Sequence, residues 1–162
     1  MSRRLGLVTM LALLFMAPGF ATVADIYPPP EQAQADIDAG IARAAKEHKR
    51  VILDFGGNWC TDCHVLDYFF HDGSNLPLLE ANFVLVHVNI GRMTDNLALA
   101  QRYGIPTMVA RGDLRVTAVP ALAVLDERGQ LLFTQKSGEF EAMRHMQTGS
   151  VTEFLQHWKA AG

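Results

Sequence analysis

Cysteine is scarce in this chain of 162 residues, which contains only Cys60 and Cys63. Two cysteines cannot build a wider disulfide framework, and the small ring that this pair could close would add little stability. Metal binding is also disfavoured, because two thiolates complete no zinc site and no second pair of residues has zinc-ligand spacing. Chemistry at the pair itself is the better explanation, and we expect neither a metal nor another cofactor.

Basic residues are also few. Lys and Arg together number 14 against 17 Asp and Glu, which gives a formal net charge of −3. This charge argues against a nucleic-acid partner, because neutralising phosphates requires clustered Lys and Arg. The sequence contains no low-complexity tract and no internal repeat. Its length predicts one domain with a substantial core.

Long apolar runs are absent except near the N-terminus. There, Leu5–Ala17 is too short to span a bilayer comfortably, since spanning takes about 20 residues. Two arginines precede this run, Pro18 and Gly19 break it, and the small residue Ala21 follows. This arrangement is typical of a secretory signal peptide over residues 1–21, with an uncleaved membrane anchor as the alternative. We therefore expect an exported protein, in a periplasm or outside the cell.

The rest of the chain alternates between helical and extended patterns. Residues 22–30, in which Tyr27 precedes three prolines, are predicted to form an extended linker, and residues 31–162 a single domain. Helices are predicted over residues 31–48, 60–71, 76–81, 95–103 and 150–159. Thr94 is the predicted cap of the fourth helix, and a capping box of Ser150 and Glu153 is predicted to open the fifth. Strands are predicted over residues 51–55, 83–90, 121–125 and 130–134, and the last two should form a hairpin. Residues 106–118 show no periodicity and are interpreted as a loop insertion, and a second extension covers residues 140–149. Alternating helices and buried strands predict an α/β fold, with a mixed sheet between helices on both faces.

The two cysteines fall where a helix follows a buried strand. With Cys60 at the helix N-terminus, unpaired backbone amides and the helix dipole would stabilise a thiolate. Cys63 lies one turn later on the same face, close enough to close a disulfide. Cys60 can then attack a substrate disulfide, and Cys63 can resolve the mixed disulfide. The negative charge of Asp62, between them, is expected to oppose thiolate formation.

The segment from Val51 to Cys63, which reads VILDFGGNWCTDC, resembles the active-site strand and turn of thioredoxins. It is more similar still to the C-terminal periplasmic domain of the thiol reductase DsbD. The resemblance covers about residues 35–160 and implies a thioredoxin fold, with loop insertions before the cis-proline and before the last helix. It also implies that the partners are protein thiols and disulfides and that a membrane thiol reductase donates the electrons. The sequence does not determine the oligomeric state, for which we expect a monomer.

Further matches assign site residues through this resemblance. Asp54, six residues before Cys60, corresponds to the buried acid behind the second cysteine, and it implies a proton relay. His87 stands where thioredoxins have a lysine near that acid; it is either part of the relay or a packed core histidine. The resemblance places three residues at the substrate groove, namely Trp59, Val119 and the cis-proline Pro120, for which Pro106 is the rival. Because burying an acid is costly, removing Asp54 is not expected to destabilise the fold.

The direction of electron flow follows from the charge argument. A less stabilised Cys60 thiolate means a less oxidising disulfide, so the negative charge of Asp62 predicts a potential of roughly −200 to −270 mV and a protein-disulfide reductase. Two alternatives stay open. Cys60 to His64 also matches the Cys-x-x-Cys-His pattern that attaches c-type haem, with His64 as the axial ligand. The fold could also be a redox-inert binding module that presents its long loops to a partner.

Overall fold

A four-stranded mixed sheet forms the centre of the computed structural model, which describes residues 25–136 and 138–160. The strands of the chain are β1 (Arg50–Gly56), β2 (Phe83–Asn89), β3 (Thr107–Ala110), β4 (Asp113–Val116), β5 (Ala121–Leu125) and β6 (Leu131–Thr134). The central sheet has the order β2-β1-β5-β6, in which β1 runs parallel to β2 and antiparallel to β5. The other two strands, β3 and β4, form a separate hairpin.

Helices cover both faces of this sheet. They are α1 (Ala33–Glu47), α2 (Thr61–Phe70), α3 (Leu76–Asn82), α4 (Leu97–Arg102) and α5 (Thr148–Trp158), with short 3₁₀ turns at Pro30–Gln32 and Met143–His145. The core on one face is built with α1 and α4, and the core on the other with α2, α3 and α5. The predicted fold class, an α/β thioredoxin fold with a mixed sheet between helices, is confirmed.

The alternation of side chains along β1 explains both its apolar sequence and the place of its one acid. Successive strand residues point to opposite faces. Leu53 and Phe55 enter the core under α1, and Ile52 enters the core under α2. Asp54 therefore faces the α2 side, in register with His87 of the neighbouring strand β2. A central strand that is covered on both faces reads as a continuous apolar run, and Asp54 interrupts it.

The segment 106–118 differs from its interpretation as a loop, because it contains the β3–β4 hairpin. Arg111 and Gly112 form the turn between the two strands, with φ values of 56° and 89°. Two consecutive positive φ values are typical of a two-residue hairpin turn. Most of the hairpin is exposed, while Val116 is buried. A strand pair with no consistently buried face has no reason to alternate apolar and polar residues, so the sequence carried no periodic signal.

Two helix starts also differ from the prediction. The fourth helix begins after Asn96, which adopts a left-handed conformation, so Thr94 is not its cap. The last helix begins at Thr148, and the residue before it provides no side-chain cap. The predicted capping box of Ser150 and Glu153 is wrong, since both residues lie inside the helix. Thr148 instead donates a hydrogen bond from its hydroxyl to a carboxylate oxygen of Asp72, which lies just after α2 in the chain.

The predicted signal peptide, residues 1–21, lies outside the described residues. In residues 25–136 and 138–160, no helix is both long enough and apolar enough to cross a membrane.

Candidate active site

The two cysteines lie at the start of α2, shortly after β1 ends. Cys60 is the N-cap residue of this helix, and a disulfide joins it to Cys63, which belongs to the first turn. The backbone N–H of Cys63 donates to the sulfur of Cys60 at 3.2 Å, so a free amide of the helix end already faces that sulfur. Cys60 is 6% exposed and Cys63 is fully buried. The geometry thus gives Cys60 both access and stabilisation of a thiolate.

This difference leads to a prediction for the reduced protein. Brief alkylation should modify Cys60 about tenfold or more faster than Cys63, because only Cys60 combines a helix N-terminus with contact to solvent. Mass mapping of peptides after a short pulse of iodoacetamide measures the ratio. Preferential labelling of Cys63 would contradict the assignment of Cys60 as the attacking thiol.

A chain of polar groups lies behind the disulfide. His87 contacts two carboxylates, with its Nδ1 3.0 Å from Oδ2 of Asp54 and its Nε2 3.3 Å from Oδ1 of Asp67. Burial works to lower the pKa of His87, but the hydrogen bonds and charges of the two carboxylates outweigh it and raise the pKa to about 9. Burial works to raise the pKa of Asp67, but the hydrogen bond and charge of His87 lower it. At neutral pH the structure therefore holds a protonated imidazole between two carboxylates.

The fully buried Asp54 has a second partner that the sequence did not reveal. The hydroxyl of Tyr27 donates to its Oδ2 at 2.6 Å. The ring of Tyr27 is itself buried, contacts the ring of His87 edge-on at 5.0 Å, and packs with the two cysteines. The segment predicted as a linker thus contributes a side chain to the centre of the site.

The turn before β5 also lies against the cysteines. The peptide bond between Val119 and Pro120 is cis, and Val119 packs against the cysteine cluster. The peptide bond before Pro106, the rival for the cis-proline, is not cis. The buried side chain of Gln135 holds this turn, since it donates to the carbonyl of Pro120 and accepts from the backbone N–H of Leu122, both at 3.2 Å.

An exposed aromatic ring lies beside the cysteines. Trp59 is 40% exposed, and its ring N–H donates to the carbonyl of Gly91. The guanidinium of Arg92 lies 5.5 Å from the centre of the ring. Trp59 therefore presents an exposed aromatic surface directly before Cys60 in the chain, and its place at a substrate groove stays a prediction.

The structure changes the expectation for Asp62. Arg144, from the extension before α5, donates its side-chain Nε to both carboxylate oxygens at 3.1 and 3.2 Å, and its backbone N–H to one of them at 2.9 Å. Burial works to raise the pKa of Asp62, but these hydrogen bonds and the positive charges of Arg144 and His145 lower it. Much of the negative charge that was expected to oppose the Cys60 thiolate is therefore offset by a partner 82 residues away in the chain.

A second prediction follows from this pair. Arg144→Gln should make the Cys60–Cys63 couple more reducing by up to about 30 mV, roughly tenfold in the exchange constant, because Asp62 would again act against the thiolate. Asp62→Asn should shift the potential in the opposite direction. Arg128→Gln, which removes the same charge at the far end of the sheet, is the matched control. Equilibration with glutathione buffers measures all three, and an upward shift in Arg144→Gln would contradict the argument.

His64, the axial ligand of the haem alternative, has another contact. Its Nε2 lies 2.9 Å from the backbone carbonyl oxygen of Asn58, to which it can donate. Both cysteine sulfurs are joined to each other. These contacts give no support to haem attachment at this motif.

Together, the fold and these contacts place the chain among the thioredoxin-fold redox proteins. More narrowly, it belongs to the thioredoxin-like family, whose model matches residues 32–127. A disulphide isomerase from Xylella fastidiosa Temecula1 is similar in structure, with 29% identity, a TM-score of 0.72, and coverage of 84% of this chain and 98% of that one. No curated protein sequence matches the chain.

More distant structures share the fold. The reduced C-terminal domain of DsbD from Neisseria meningitidis has 19% identity and a TM-score of 0.51, and the alignment covers 76% of this chain and 95% of that one. A thioredoxin from Thermus thermophilus has 20% identity and a TM-score of 0.51, with 81% and 83% covered. The resemblance to thioredoxins and to the DsbD domain is therefore confirmed at the level of fold.

The structure brings the predicted site residues to one end of the sheet, and it adds others. The predicted residues are Cys60, Cys63, Asp54, His87, Trp59, Val119 and Pro120. The sequence reasoning missed Tyr27, Gln135 and Arg144, which reach the site from distant parts of the chain. It also missed Asp67, which lies further along α2 and contacts His87. One signal was available for Asp67: it lies four residues after Cys63, one helical turn on, and so on the same face of α2.

Proposed function

We propose that this protein is an exported thiol–disulfide oxidoreductase that reduces disulfides in other proteins. The observation that carries the proposal is the Cys60–Cys63 disulfide at the start of α2, in which Cys60 keeps 6% of its surface exposed and Cys63 is fully buried. The matched family and the similarity to a disulphide isomerase support the same chemistry.

The proposed reaction uses the reduced protein. The Cys60 thiolate attacks one sulfur of a substrate disulfide, whose S–S bond breaks, and the departing substrate thiolate takes a proton from solvent. Cys63 then loses its proton towards Asp54 and attacks the Cys60 sulfur, which releases the second substrate sulfur. Two electrons pass from the protein to the substrate, and the Cys60–Cys63 disulfide forms. In this proposal, His87 supports Asp54, and Trp59, Val119 and Pro120 hold the substrate chain.

The proposed direction is reduction, at a potential of roughly −200 to −270 mV. Its support is that α2 offers Cys60 no positively charged neighbour in its first turn, where Asp62 stands instead. The Arg144 contact offsets this charge, so it moves the expected value towards the less reducing end of that range. In an oxidising compartment such a protein needs an electron supply.

We further propose that residues 1–21 are a signal peptide, that the protein works in a periplasm or another exported location, and that a membrane thiol reductase reduces it. The pattern of two arginines, an apolar run and a small residue supports export. The fold shared with a domain of DsbD is consistent with such a donor.

A second candidate function is disulfide isomerisation. The specific observation in its favour is the structural similarity to the disulphide isomerase from Xylella fastidiosa, of which nearly the full length is covered. An isomerase must attack wrong disulfides and then leave the substrate with a correct one, so it ends with its own thiols reduced.

One set of measurements tests these proposals. The purified protein is equilibrated with glutathione to obtain its potential, and it is assayed for reduction of insulin and for reactivation of scrambled ribonuclease, with Cys60→Ser as the inactive control. A reductase reduces insulin and has a potential below about −200 mV. Reactivation of ribonuclease without net oxidation of the protein would favour the isomerase, and a potential above about −150 mV would make it an oxidase. A protein that reduces and reactivates nothing would be a binding module.

A further inference from the structure

Residues 26–30, which we call the N-terminal strap, are held across the active site by side-chain amides. The amide group of Asn58 accepts from the backbone N–H groups of Ile26 and Tyr27 at 3.0 and 2.9 Å, and it donates to the carbonyl of Tyr27 at 2.9 Å. Two more amides fix the strap at its other end: Asn89 donates to the carbonyl of Pro28 at 2.8 Å, and Asn96 donates to that of Pro30 at 2.7 Å. The backbone on both sides of Tyr27 is therefore fixed, which orients its ring.

The hydroxyl of Tyr27 and the sulfur of Cys63 converge on one point. A Cβ atom placed on Gly56 would collide with both of them, so the absence of a side chain at Gly56 lets both groups occupy the space at the end of β1. The same hydroxyl donates to Oδ2 of Asp54 at 2.6 Å. Tyr27 thus donates its proton to the acid, and its oxygen borders the same small space at Gly56 as the resolving sulfur.

Asp54 keeps a free acceptor in this oxidised state. Its Oδ2 accepts from Tyr27 and His87, while its buried Oδ1 has no hydrogen-bond partner among the residues that the structure describes. A buried carboxylate oxygen without a donor is costly, and such atoms are concentrated at functional sites. The buried Asp54 is therefore an acceptor whose capacity is not filled by its present contacts.

The charged surroundings of Tyr27 decide how it can handle a proton. The groups that face it are Asp54 from β1, His87 from β2 and Asp67 from α2. Burial, and then the negative charge of Asp54 and the hydrogen bond to it, raise the pKa of Tyr27 well above its ordinary value. A stable phenolate is excluded at neutral pH, so Tyr27 can lose its proton only as it gains another.

We propose that Tyr27 relays the proton of Cys63 to Asp54 while Cys63 resolves the mixed disulfide. The inference rests on the proposed function. In the step, the S–H bond of Cys63 breaks and its proton passes to the Tyr27 oxygen, as the former hydroxyl proton of Tyr27 passes to Asp54. The electron pair left on the Cys63 sulfur forms the bond to the Cys60 sulfur. The bond between Cys60 and the substrate breaks, and the substrate sulfur leaves as a thiolate that takes a proton from solvent.

The route from Asp54 to solvent is also present. Protonation of Asp54 removes one of the two negative charges that keep His87 protonated. The imidazole can then release its proton on the side of Asp67, whose carboxylate is partly exposed. When the Cys60–Cys63 disulfide is reduced again, Asp54 returns its proton to Cys63 through Tyr27 and His87 takes a proton from solvent, which restores the starting states.

The test separates the two steps with an aryl disulfide, dithiobisnitrobenzoate. Attack by Cys60 on this reagent releases a first coloured thiolate, and resolution by Cys63 releases the second. In stopped-flow experiments on the reduced protein, Tyr27→Phe should leave the first phase unchanged and slow the second about tenfold near pH 7. The second phase should recover as the pH approaches the ordinary value of a thiol, about 8.5, where solvent can take the proton. Tyr68→Phe, which changes an exposed tyrosine on α2, is the control with wild-type phases.

The double variant adds a readout that a packing role would not give. If Tyr27 works only through Asp54, Tyr27→Phe in the Asp54→Asn background should cause no further slowing, because residues that act as a unit are not additive. A second phase in Tyr27→Phe with the wild-type rate and pH profile would overturn the relay, as would slowing by the same factor at every pH. Failure of the wild-type protein to release the second thiolate would instead reject the proposed function.

Discussion

Raising the pH from 6.5 to 9 should lower the free energy of unfolding of the oxidised protein by about 3 kcal/mol through His87. Burial works against the charge of this imidazole, but the hydrogen bonds and charges of Asp54 and Asp67 raise its pKa from 6.5 to about 9. Each unit by which folding raises the pKa of the imidazole corresponds to about 1.4 kcal/mol of extra stability for the protonated form in the folded state.

The sign follows from comparing the folded and unfolded chains. Below pH 6.5 His87 is protonated in both, and its contribution to stability is fully present. Between pH 6.5 and 9 the unfolded chain has lost this proton while the folded chain keeps it, so the contribution falls as the pH rises. Above pH 9 both are neutral and the contribution is gone. Asp67, whose pKa is lowered, acts in the opposite direction, but only at acid pH.

Urea unfolding of the disulfide form at several pH values measures the effect. His87→Gln should be less stable near pH 6.5 and should lose most of the dependence between pH 6.5 and 9. The matched control is His48→Asn, at an exposed histidine with a φ of 54°, a left-handed conformation that asparagine tolerates. This control should keep the wild-type dependence. An equal slope in His87→Gln and the wild type would show that the carboxylates do not hold a proton on this ring.

Much of the site could be predicted from the sequence, because its central part is local. Cys60 and Cys63 share one helical turn, and Asp54 lies in the strand directly before them. These residues form a pattern within one strand–turn–helix unit, and a single pattern of this kind identifies its chemistry. His87 was assigned through the resemblance to thioredoxins, and the structure places it opposite Asp54 because β2 pairs in parallel register with β1.

The contacts that modify this site could not be predicted, because they cross large sequence distances. Tyr27 meets Asp54 27 positions later in the chain, and Arg144 reaches Asp62 from 82 positions away. Neither residue carries a local signal: the three prolines after Tyr27 resemble a linker, and Arg144 lies in a 3₁₀ turn of only three residues. In both cases the position of the side chain depends on how a segment outside the sheet packs against α2 or β1.

The same reason explains the errors in secondary structure. The sheet and its helices have buried faces, so their apolar periodicity identified them. The β3–β4 hairpin is exposed along most of its length, so nothing but its turn residues marked it. The start of the last helix was misplaced because Thr148 is fixed by a tertiary contact with Asp72 rather than by a local cap.

The largest kinetic effect is expected at Asp54. Asp54→Asn keeps the shape of the side chain but removes the group that accepts the proton of Cys63, so resolution should be slower by about 100-fold or more near neutral pH. The first attack by Cys60 should change little, because Cys60 is stabilised by the start of α2 and does not depend on this acid. The structure also reverses the expectation for stability: Asp54 accepts from Tyr27 and pairs with a protonated His87, so its removal should destabilise the fold.

The two-phase release of coloured thiolate from dithiobisnitrobenzoate measures both steps on folded protein. Asp67→Asn is the matched control, because it removes a carboxylate from the same imidazole but on the side away from Asp54. We expect the control to slow the second phase only a few-fold, since the acceptor next to Cys63 remains. A larger effect in Asp67→Asn than in Asp54→Asn would place the essential acid at Asp67. A wild-type second phase in Asp54→Asn would mean that solvent takes the Cys63 proton, which leaves Asp54 with the structural role of pairing His87 and Tyr27.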